Sequence, residues 1–178
     1  MSTLELKELS HPSGEVIKIA AGKTLDLKSQ GTTTLPTGSV LQVVNNEGST
    51  EVSSTVAATW ITASGTVTIT PTSTSSKIHL SHVAGGLVKG DGGNISLRFK
   101  KEISGGATSY INQIDRYGYI DNGTSWVPFN FVLLYLDSAG TTSSITYTIQ
   151  YLQGSTSGQD IRYCDTSKFN FTAMEIQG

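Results

Sequence analysis

The chain of 178 residues is poor in charge: 12 basic and 14 acidic residues make up 15% of it, and the net charge is -2. Soluble globular domains usually carry about 25% charged residues. The longest basic run is Lys100-Lys101. Because a basic patch is the electrostatic signature of proteins that bind nucleic acid or anionic membranes, the sequence predicts neither partner.

Cysteine and long apolar runs are also scarce. The single cysteine, Cys164, cannot form a disulfide within the chain or a zinc site built on cysteines. No stretch approaches the roughly 18 apolar residues of a membrane-spanning helix. Residues 1–7 alternate in polarity, which is unlike a secretion signal. We therefore expect stabilisation by packing or assembly, without membrane insertion.

Small polar residues take the place of the missing charges. Serine and threonine make up about a quarter of the chain, and 19 residues are glycine. These residues form helices poorly, whereas the Val, Ile, Thr and Tyr between them favour strands. The predicted strands include residues 40–44, 59–62, 66–70, 77–84, 95–100, 110–114, 129–136, 145–153 and 169–176. Their spacing predicts an all-β protein, an antiparallel β-sandwich of jelly-roll type.

Residues 1–38 form a segment of a different kind. Their apolar residues fall in three short groups separated by polar residues and glycine: Leu4, Leu6 and Leu9, then Val16, Ile17 and Ile19, then Leu25 and Leu27. A segment of this size is too short to fold alone. It could pack on the following domain, be disordered, or intertwine with copies from other chains. We favour intertwining, with a domain of residues 39–178 following the segment.

Residues 129–136 are apolar at nearly every position. A strand of this kind is expected to be buried on both sides, either between two sheets or at a contact between subunits. We therefore add this strand to the predicted trimer contacts. The full set is Leu4, Leu6, Leu9, Val16, Ile17, Ile19, Leu25, Leu27, Phe129, Phe131, Leu133 and Tyr135.

The sequence holds no phosphate-binding loop, no dinucleotide-binding glycine motif and no zinc-protease motif. His79 and His82 are three residues apart in a predicted strand, so their side chains should point to opposite faces. We predict no metal and no cofactor, although one histidine repeated around a symmetry axis could still hold an ion.

Asp115, Asp121 and Asp137 are the acidic candidates for sugar hydrolysis, which needs two carboxylates at a defined separation. Residues 121–124 and 137–140 are more typical of turns. Cys164 has no histidine nearby in sequence, which favours a packed thiol over a nucleophile. The sequence therefore predicts that the protein is not an enzyme.

Aromatic and amide side chains are concentrated in residues 104–128, which look like a long loop. Rings stack on the apolar faces of sugars and amides bind hydroxyls, so this region could contact a host glycan or a protein. Alternatively, the rings cap the sandwich or fill a subunit interface. The candidate binding residues are Tyr110, Asn112, Arg116, Tyr117, Tyr119, Asn122 and Trp126.

A family resemblance rests on residues 1–14, 19–25, 37–44, 69–78, 135–137, 146–151 and 171–176. Across these stretches the chain resembles the short tail-fibre or appendage proteins of tailed bacteriophages, particularly those of marine hosts. The resemblance implies a virion protein with a trimeric jelly-roll C-terminal domain, like the complement globular head and tumour-necrosis-factor families. It implies no catalytic residues.

The leading hypothesis is a homotrimeric phage tail fibre or appendage. Its N-terminal segment would bind other virion proteins, and its distal domain would contact a glycan or protein of the host surface. Weak binding repeated on three subunits gains avidity. One alternative is a purely structural virion component, such as a head-decoration fibre or tail adaptor. Another is a glycan-cleaving depolymerase, for which the sequence offers no buried carboxylate pair.

Overall fold

A computed structural model of the chain describes residues 21–22, 35–90, 93–121, 123, 125–154 and 160–178. The chain divides into two units, Met1–Leu35 and Pro36–Gly178. The predicted trimer contacts of the N-terminal segment lie outside the described residues. These are Leu4, Leu6, Leu9, Val16, Ile17, Ile19, Leu25 and Leu27, and their role stays a prediction, as does the division into residues 1–38 and 39–178.

Ten strands form the described part of the second unit, which contains no helix. The all-β prediction is therefore confirmed. The strands are Val40–Gly48 (β1), Val52–Ser54 (β2), Trp60–Ile69 (β3), Lys77–Lys89 (β4), Gly93–Ile103 (β5), Thr108–Ile120 (β6), Val127–Ser138 (β7), Ile145–Gln153 (β8), Asp160–Tyr163 (β9) and Phe169–Ile176 (β10). It follows that the described residues include no helix that could cross a membrane.

The strands make two antiparallel sheets in a sandwich-like arrangement. Sheet A has the order β1-β10-β4-β9-β2, and β7 pairs with the other side of β4. Sheet B has the order β3-β8-β5-β6. Strand β4 is long enough to pair with β10 along its first half and with β9 along its second. The predicted antiparallel sandwich is thus confirmed.

Sheet A contains two interrupted strands, β1/β2 at its edge and β9/β10 next to it. Gly48 pairs with Phe169, and Val52 pairs with Tyr163, so β1 and β2 follow one line beside β10 and β9. Cys164 and Thr166 adopt positive φ angles of 59° and 50° in the break between β9 and β10. The pairings are then nested: β5 with β6, β4 with β7, β3 with β8, and β1 with β10.

The core lies between the sheets and consists of alternate side chains along each strand. An aromatic cluster occupies part of it. Phe131 lies at its centre, with ring centroids 5.1 Å from Phe129, 5.4 Å from Tyr163 and 5.8 Å from Tyr151. Because β7 belongs to sheet A and β8 to sheet B, the contact between Phe131 and Tyr151 joins the two layers.

A buried ion pair joins the sheets at another point. Lys101 of β5 and Asp137 of β7 are almost fully buried, with 2.6 Å between Nζ and Oδ2. The Tyr147 hydroxyl donates to the same carboxylate oxygen at 2.7 Å, and Lys101 also donates to the Ser138 carbonyl at 3.0 Å. Burial, followed by this hydrogen bond, raises the pKa of Tyr147.

Glu175 of β10 is a fully buried carboxylate that forms no ion pair with the described residues. It accepts hydrogen bonds from Gln42 at 2.6 Å, from the Ser76 hydroxyl at 2.7 Å, and from the Thr72 backbone N–H and hydroxyl at 2.7 and 2.8 Å. Burial by itself would raise the pKa of Glu175, but these donors together hold it below its usual value. The carboxylate therefore fastens the β3–β4 connection to sheet A.

Several predicted boundaries differ from the structure. Strand β4 was expected to end near residue 84, yet it continues through Gly85-Gly86 to Lys89. A side chain at position 86 would collide with the backbone carbonyl of Arg162 and the ring of Phe131, so the glycine serves close packing and not a turn. Residues 104–128, for which the sequence predicts a long loop with one short strand at 110–114, contain the 13-residue strand β6.

Candidate functional site

The outer face of sheet A carries apolar side chains that the described residues leave open to solvent. The strand register places Val43, Met174, His79 and Leu136 in one row across the sheet. Ser81 and Leu134 belong to the next row. Leu134 and Leu136 are 57% and 53% exposed, and Val43 and Val83 are exposed as well. We call Val43, Val83, Val132, Leu134, Leu136 and Met174 the apolar face.

Strand β7 contributes to both sides of sheet A. Phe131 and Leu133 are buried in the core of their own chain, at 0% and 1% exposure. These two predicted trimer contacts therefore do not reach the surface. Phe129 is half-buried against the same cluster, and Tyr135 is partly exposed. Leu134 and Leu136 point to the opposite, outer face, and they are the side chains of β7 that could reach a second chain.

Side chains of β6 bridge to the free edge of β7. The Asn112 amide donates to the Leu134 carbonyl at 2.9 Å, and the Tyr117 hydroxyl accepts from the Val132 N–H at 3.3 Å. Asn112 and Arg116 have positive φ angles of 49° and 54°, and the pairing of β6 with β5 shifts register beside them. These bulges aim the side chains at the neighbouring sheet and satisfy backbone groups that an edge strand would otherwise leave open.

Aromatic and polar side chains surround a single arginine, Arg98, on the outer face of sheet B. The Arg98 guanidinium carbon is 3.9 Å from the centre of the Trp60 ring and 3.7 Å from that of Tyr110. Arg98 Nε donates to the Gln150 side-chain oxygen at 2.9 Å, and the Gln150 amide donates to the Thr62 hydroxyl at 3.0 Å. We call Trp60, Thr62, Arg98, Tyr110 and Gln150 the Arg98 cluster.

A second aromatic residue packs against cations on sheet A. The Trp126 ring lies 4.2 Å from the Arg162 guanidinium carbon and 4.8 Å from Lys89 Nζ. Arg162 also has carboxylate oxygens of Asp160 and Asp165 at 3.9 Å. The cation beside Trp126 is therefore already compensated by acidic neighbours.

The predicted binding residues fall in several environments. Tyr110 joins the Arg98 cluster, Trp126 packs on sheet A, and Asn112 and Tyr117 bridge the sheets. Arg116 and Tyr119 are exposed on β6, and the Arg116 backbone N–H donates to the Ser96 hydroxyl at 3.2 Å. Asn122 lies outside the described residues. The structure thus brings Tyr110 together with Trp60, Arg98 and Gln150, which the sequence prediction missed because strand register was unknown.

The two neighbouring histidines point to opposite sides of β4, as predicted. His82 is fully buried, and His79 belongs to the outer face. His82 Nε2 and the Tyr163 hydroxyl share a hydrogen bond of 2.8 Å, and the Phe171 ring packs edge-on at 5.3 Å. Among the described residues no group of three metal-ligating side chains comes together.

Burial of His82 predicts a loss of stability in mild acid. Burial lowers its pKa to about 4, with a smaller opposing effect from the Phe131 backbone. Unfolded His82 binds its proton near pH 6.5 and the folded form only near pH 4, so falling pH favours unfolding between these values. The loss is about 3 kcal/mol, complete near pH 4.

The variant His82→Gln keeps a hydrogen-bonding partner for Tyr163 and does not titrate. Urea unfolding from pH 7 to pH 4 should show a steeper loss of free energy for the wild type than for the variant. Carboxylates contribute equally to both proteins, so the difference isolates His82. Parallel pH profiles would contradict the prediction.

The remaining chemical candidates have structural partners. Asp137 is held by Lys101 and Tyr147, and Cys164 is buried, with burial raising the pKa of its thiol. A groove of about 420 Å³ is lined by Glu102, Ile103, Ser104, Ser144 and Thr146. Its carboxylate, Glu102, pairs with Lys100 at 2.7 Å.

Among solved structures, the chain is similar at low TM-scores to chains of infectious bursal disease virus. No family model matches the chain, and no curated protein matches it. A structure of infectious bursal disease virus, Gx strain, is 14% identical with a TM-score of 0.43, and one of the Gt strain is 16% identical with a TM-score of 0.37. Each match covers 88% of this chain and 36% of the viral chain, so this chain spans about a third of the length of those it matches.

Proposed function

We propose that the chain is a non-enzymatic structural protein of a virus particle, a homotrimeric phage appendage whose β-sandwich contacts the host surface. The observation that carries the assembly part is the apolar face. Leucine side chains more than half exposed, beside exposed valines on neighbouring strands, favour a protein contact over solvent. The number of copies comes from the resemblance to phage appendages.

The occupant of the apolar face is a second copy of this chain. The apolar face lies on three cross-strand rows of outward side chains. Glu47 is the one charged side chain in these rows, and the others are apolar or carry a hydroxyl, amide or imidazole group. Equal faces brought together by symmetry repeat every charge, so charges would repel. A face nearly free of charge suits self-association.

The strand order supports a particle protein. When the interrupted strands β1/β2 and β9/β10 are each counted once, sheet A has the order β1/β2, β9/β10, β4, β7, and sheet B has the order β3, β8, β5, β6. Four nested antiparallel pairs folded into two four-stranded sheets are the arrangement of a jelly roll. Viral capsid and lectin domains commonly use this fold, although the fold alone does not decide between them.

Two leucines of the apolar face provide the test of assembly. Native mass spectrometry of the full chain is expected to show a trimer for the wild type and a monomer for Leu134→Glu/Leu136→Glu, because burying two carboxylates without partners is costly. Circular dichroism should be unchanged, since both side chains point away from the core. The matched control is Thr108→Glu/Ser109→Glu on exposed β6, which should remain trimeric.

A wild-type protein that is a folded monomer at micromolar concentration would overturn the assembly proposal. The particle assignment has its own test. Peptide mass spectrometry of purified particles should detect the chain at a fixed ratio to the other virion proteins, and its absence from intact particles would rule out a virion role. Binding of the trimer to host cells separates a receptor-binding appendage from a purely structural component.

A further inference from the structure

We propose that the Arg98 cluster binds a saccharide that bears a carboxylate. This site belongs to the outer face of sheet B, away from the apolar face of sheet A. It is defined by side chains within one chain, so the inference stands whether or not the protein belongs to a virus particle.

The Arg98 guanidinium is held in place before any ligand arrives. The rings of Trp60 and Tyr110 lie within 4 Å of its central carbon, and Gln150 accepts its Nε–H at 2.9 Å. Gln150 is itself buried and fixed by Thr62. A preorganised guanidinium loses little conformational freedom on binding, which increases affinity.

Arg98 has no acidic partner among the described residues. Among the described residues, the ion pairs involve Lys100, Lys101 and Arg162 but not Arg98. The two terminal Nη groups of Arg98 make no hydrogen bond to the described side chains or backbone. Burial lowers the pKa of Arg98, partly opposed by Tyr110, so the charge is partly removed from water. An unpaired, partly desolvated cation favours an anion.

Arg162 provides the contrast within the same molecule. It too lies beside a tryptophan ring, at 4.2 Å from Trp126, but it has carboxylate oxygens of Asp160 and Asp165 at 3.9 Å. Arg162 therefore has the same kind of aromatic contact with its charge already balanced. The comparison isolates the missing partner as the distinguishing property of Arg98.

The Arg98 guanidinium and the two rings beside it indicate the chemical class of the ligand. The two Nη groups form a planar fork that matches the two oxygens of a carboxylate. Tyr110 is 53% exposed and Trp60 is half-buried, so ring surface remains beside the fork. Sugar rings present apolar C–H faces that pack on aromatic side chains. A fork flanked by two rings therefore fits an acidic sugar better than an inorganic anion.

The test uses the full chain and three probes: tri-galacturonic acid, its neutral counterpart tri-galactose, and inorganic phosphate. Titration calorimetry at fixed, moderate salt is expected to detect binding of the acidic trisaccharide alone. Arg98→Gln and Trp60→Leu should each weaken that binding at least tenfold. Arg98→Lys should weaken it similarly, since lysine keeps the charge but loses the fork. Arg162→Gln is the matched control and should bind as the wild type does.

Thermal unfolding of each variant verifies that loss of binding is not loss of fold. If Trp60→Leu or Arg98→Gln is unstable, Tyr110→Ser, which changes an exposed side chain, replaces it as the binding variant. Absence of binding to the acidic trisaccharide would overturn the proposal. Equal binding by Arg98→Lys, or equal affinity for phosphate, would also overturn it, because either result indicates attraction by charge alone.

Discussion

Lys101→Met is expected to destabilise the β-sandwich by about 3–5 kcal/mol, because it removes one partner of a buried ion pair and leaves the other charged. Asp137 would keep only the Tyr147 hydroxyl as a hydrogen-bond donor among the described residues. Methionine fills much the same volume as the lysine stem, so the loss reports on charge and not on a cavity. For a domain of this size the midpoint of thermal unfolding should fall by about 10 °C or more.

Two further variants isolate the cause. Lys100→Met, one residue away, breaks an ion pair whose side chains are 25% and 41% exposed, and it should change stability by no more than about 0.5 kcal/mol. Lys101→Met/Asp137→Leu removes both buried charges and should recover most of the loss, limited by the Tyr147 hydroxyl that is left without its acceptor. Urea unfolding at one protein concentration measures all three. A double variant as unstable as Lys101→Met would argue against the ion pair as the cause.

Phe131→Ala is expected to cost about 3–5 kcal/mol, since a fully buried ring is replaced by a cavity. The ring contacts aromatic neighbours in both sheets, so its removal weakens the packing between the layers as well as within β7. The neighbouring strands are hydrogen-bonded on both sides, so they cannot move far into the cavity that the missing ring leaves. The cost should therefore lie towards the upper end for this kind of substitution.

Asn130→Ala, at the adjacent position of β7, serves as the control for Phe131. Asn130 is exposed, and the expected change is within about 0.5 kcal/mol. Denaturant unfolding with a constant slope would assign the difference to the native core. Similar losses for both variants would show that β7 responds to substitution as a whole and that the aromatic cluster does not dominate.

The sequence predicts much of the fold because most of its strands alternate cleanly. Strands β8 and β10 lie at their predicted positions, whereas β3 is one strand where the sequence predicts two, residues 59–62 and 66–70. Strand β1 was predicted to stop at Asn45, a residue typical of turns, yet it continues to Gly48. Asn46 points inward there and donates to the Thr66 carbonyl at 2.7 Å, so a tertiary hydrogen bond outweighs its turn preference.

Strand β6 is predicted only in part, as residues 110–114, for a related reason. Its bulges at Asn112 and Arg116 break the two-residue period, and a pattern without that period looks like a loop. The Arg98 cluster could not be predicted because its members come from four strands. Only the register of β3, β8, β5 and β6 places Trp60, Arg98 and Tyr110 side by side, and composition carries no information about register.

The position of β10 also governs when the domain can be completed during synthesis. Strand β10 follows the other nine described strands in the chain, and it lies between β1 and β4, where it contributes Phe171, Ala173 and Glu175 to the interior. Until it leaves the ribosome, β1 has no partner in sheet A and the β3–β4 connection has no carboxylate to fasten it. Chains that stop before β10 therefore lack a finished sandwich.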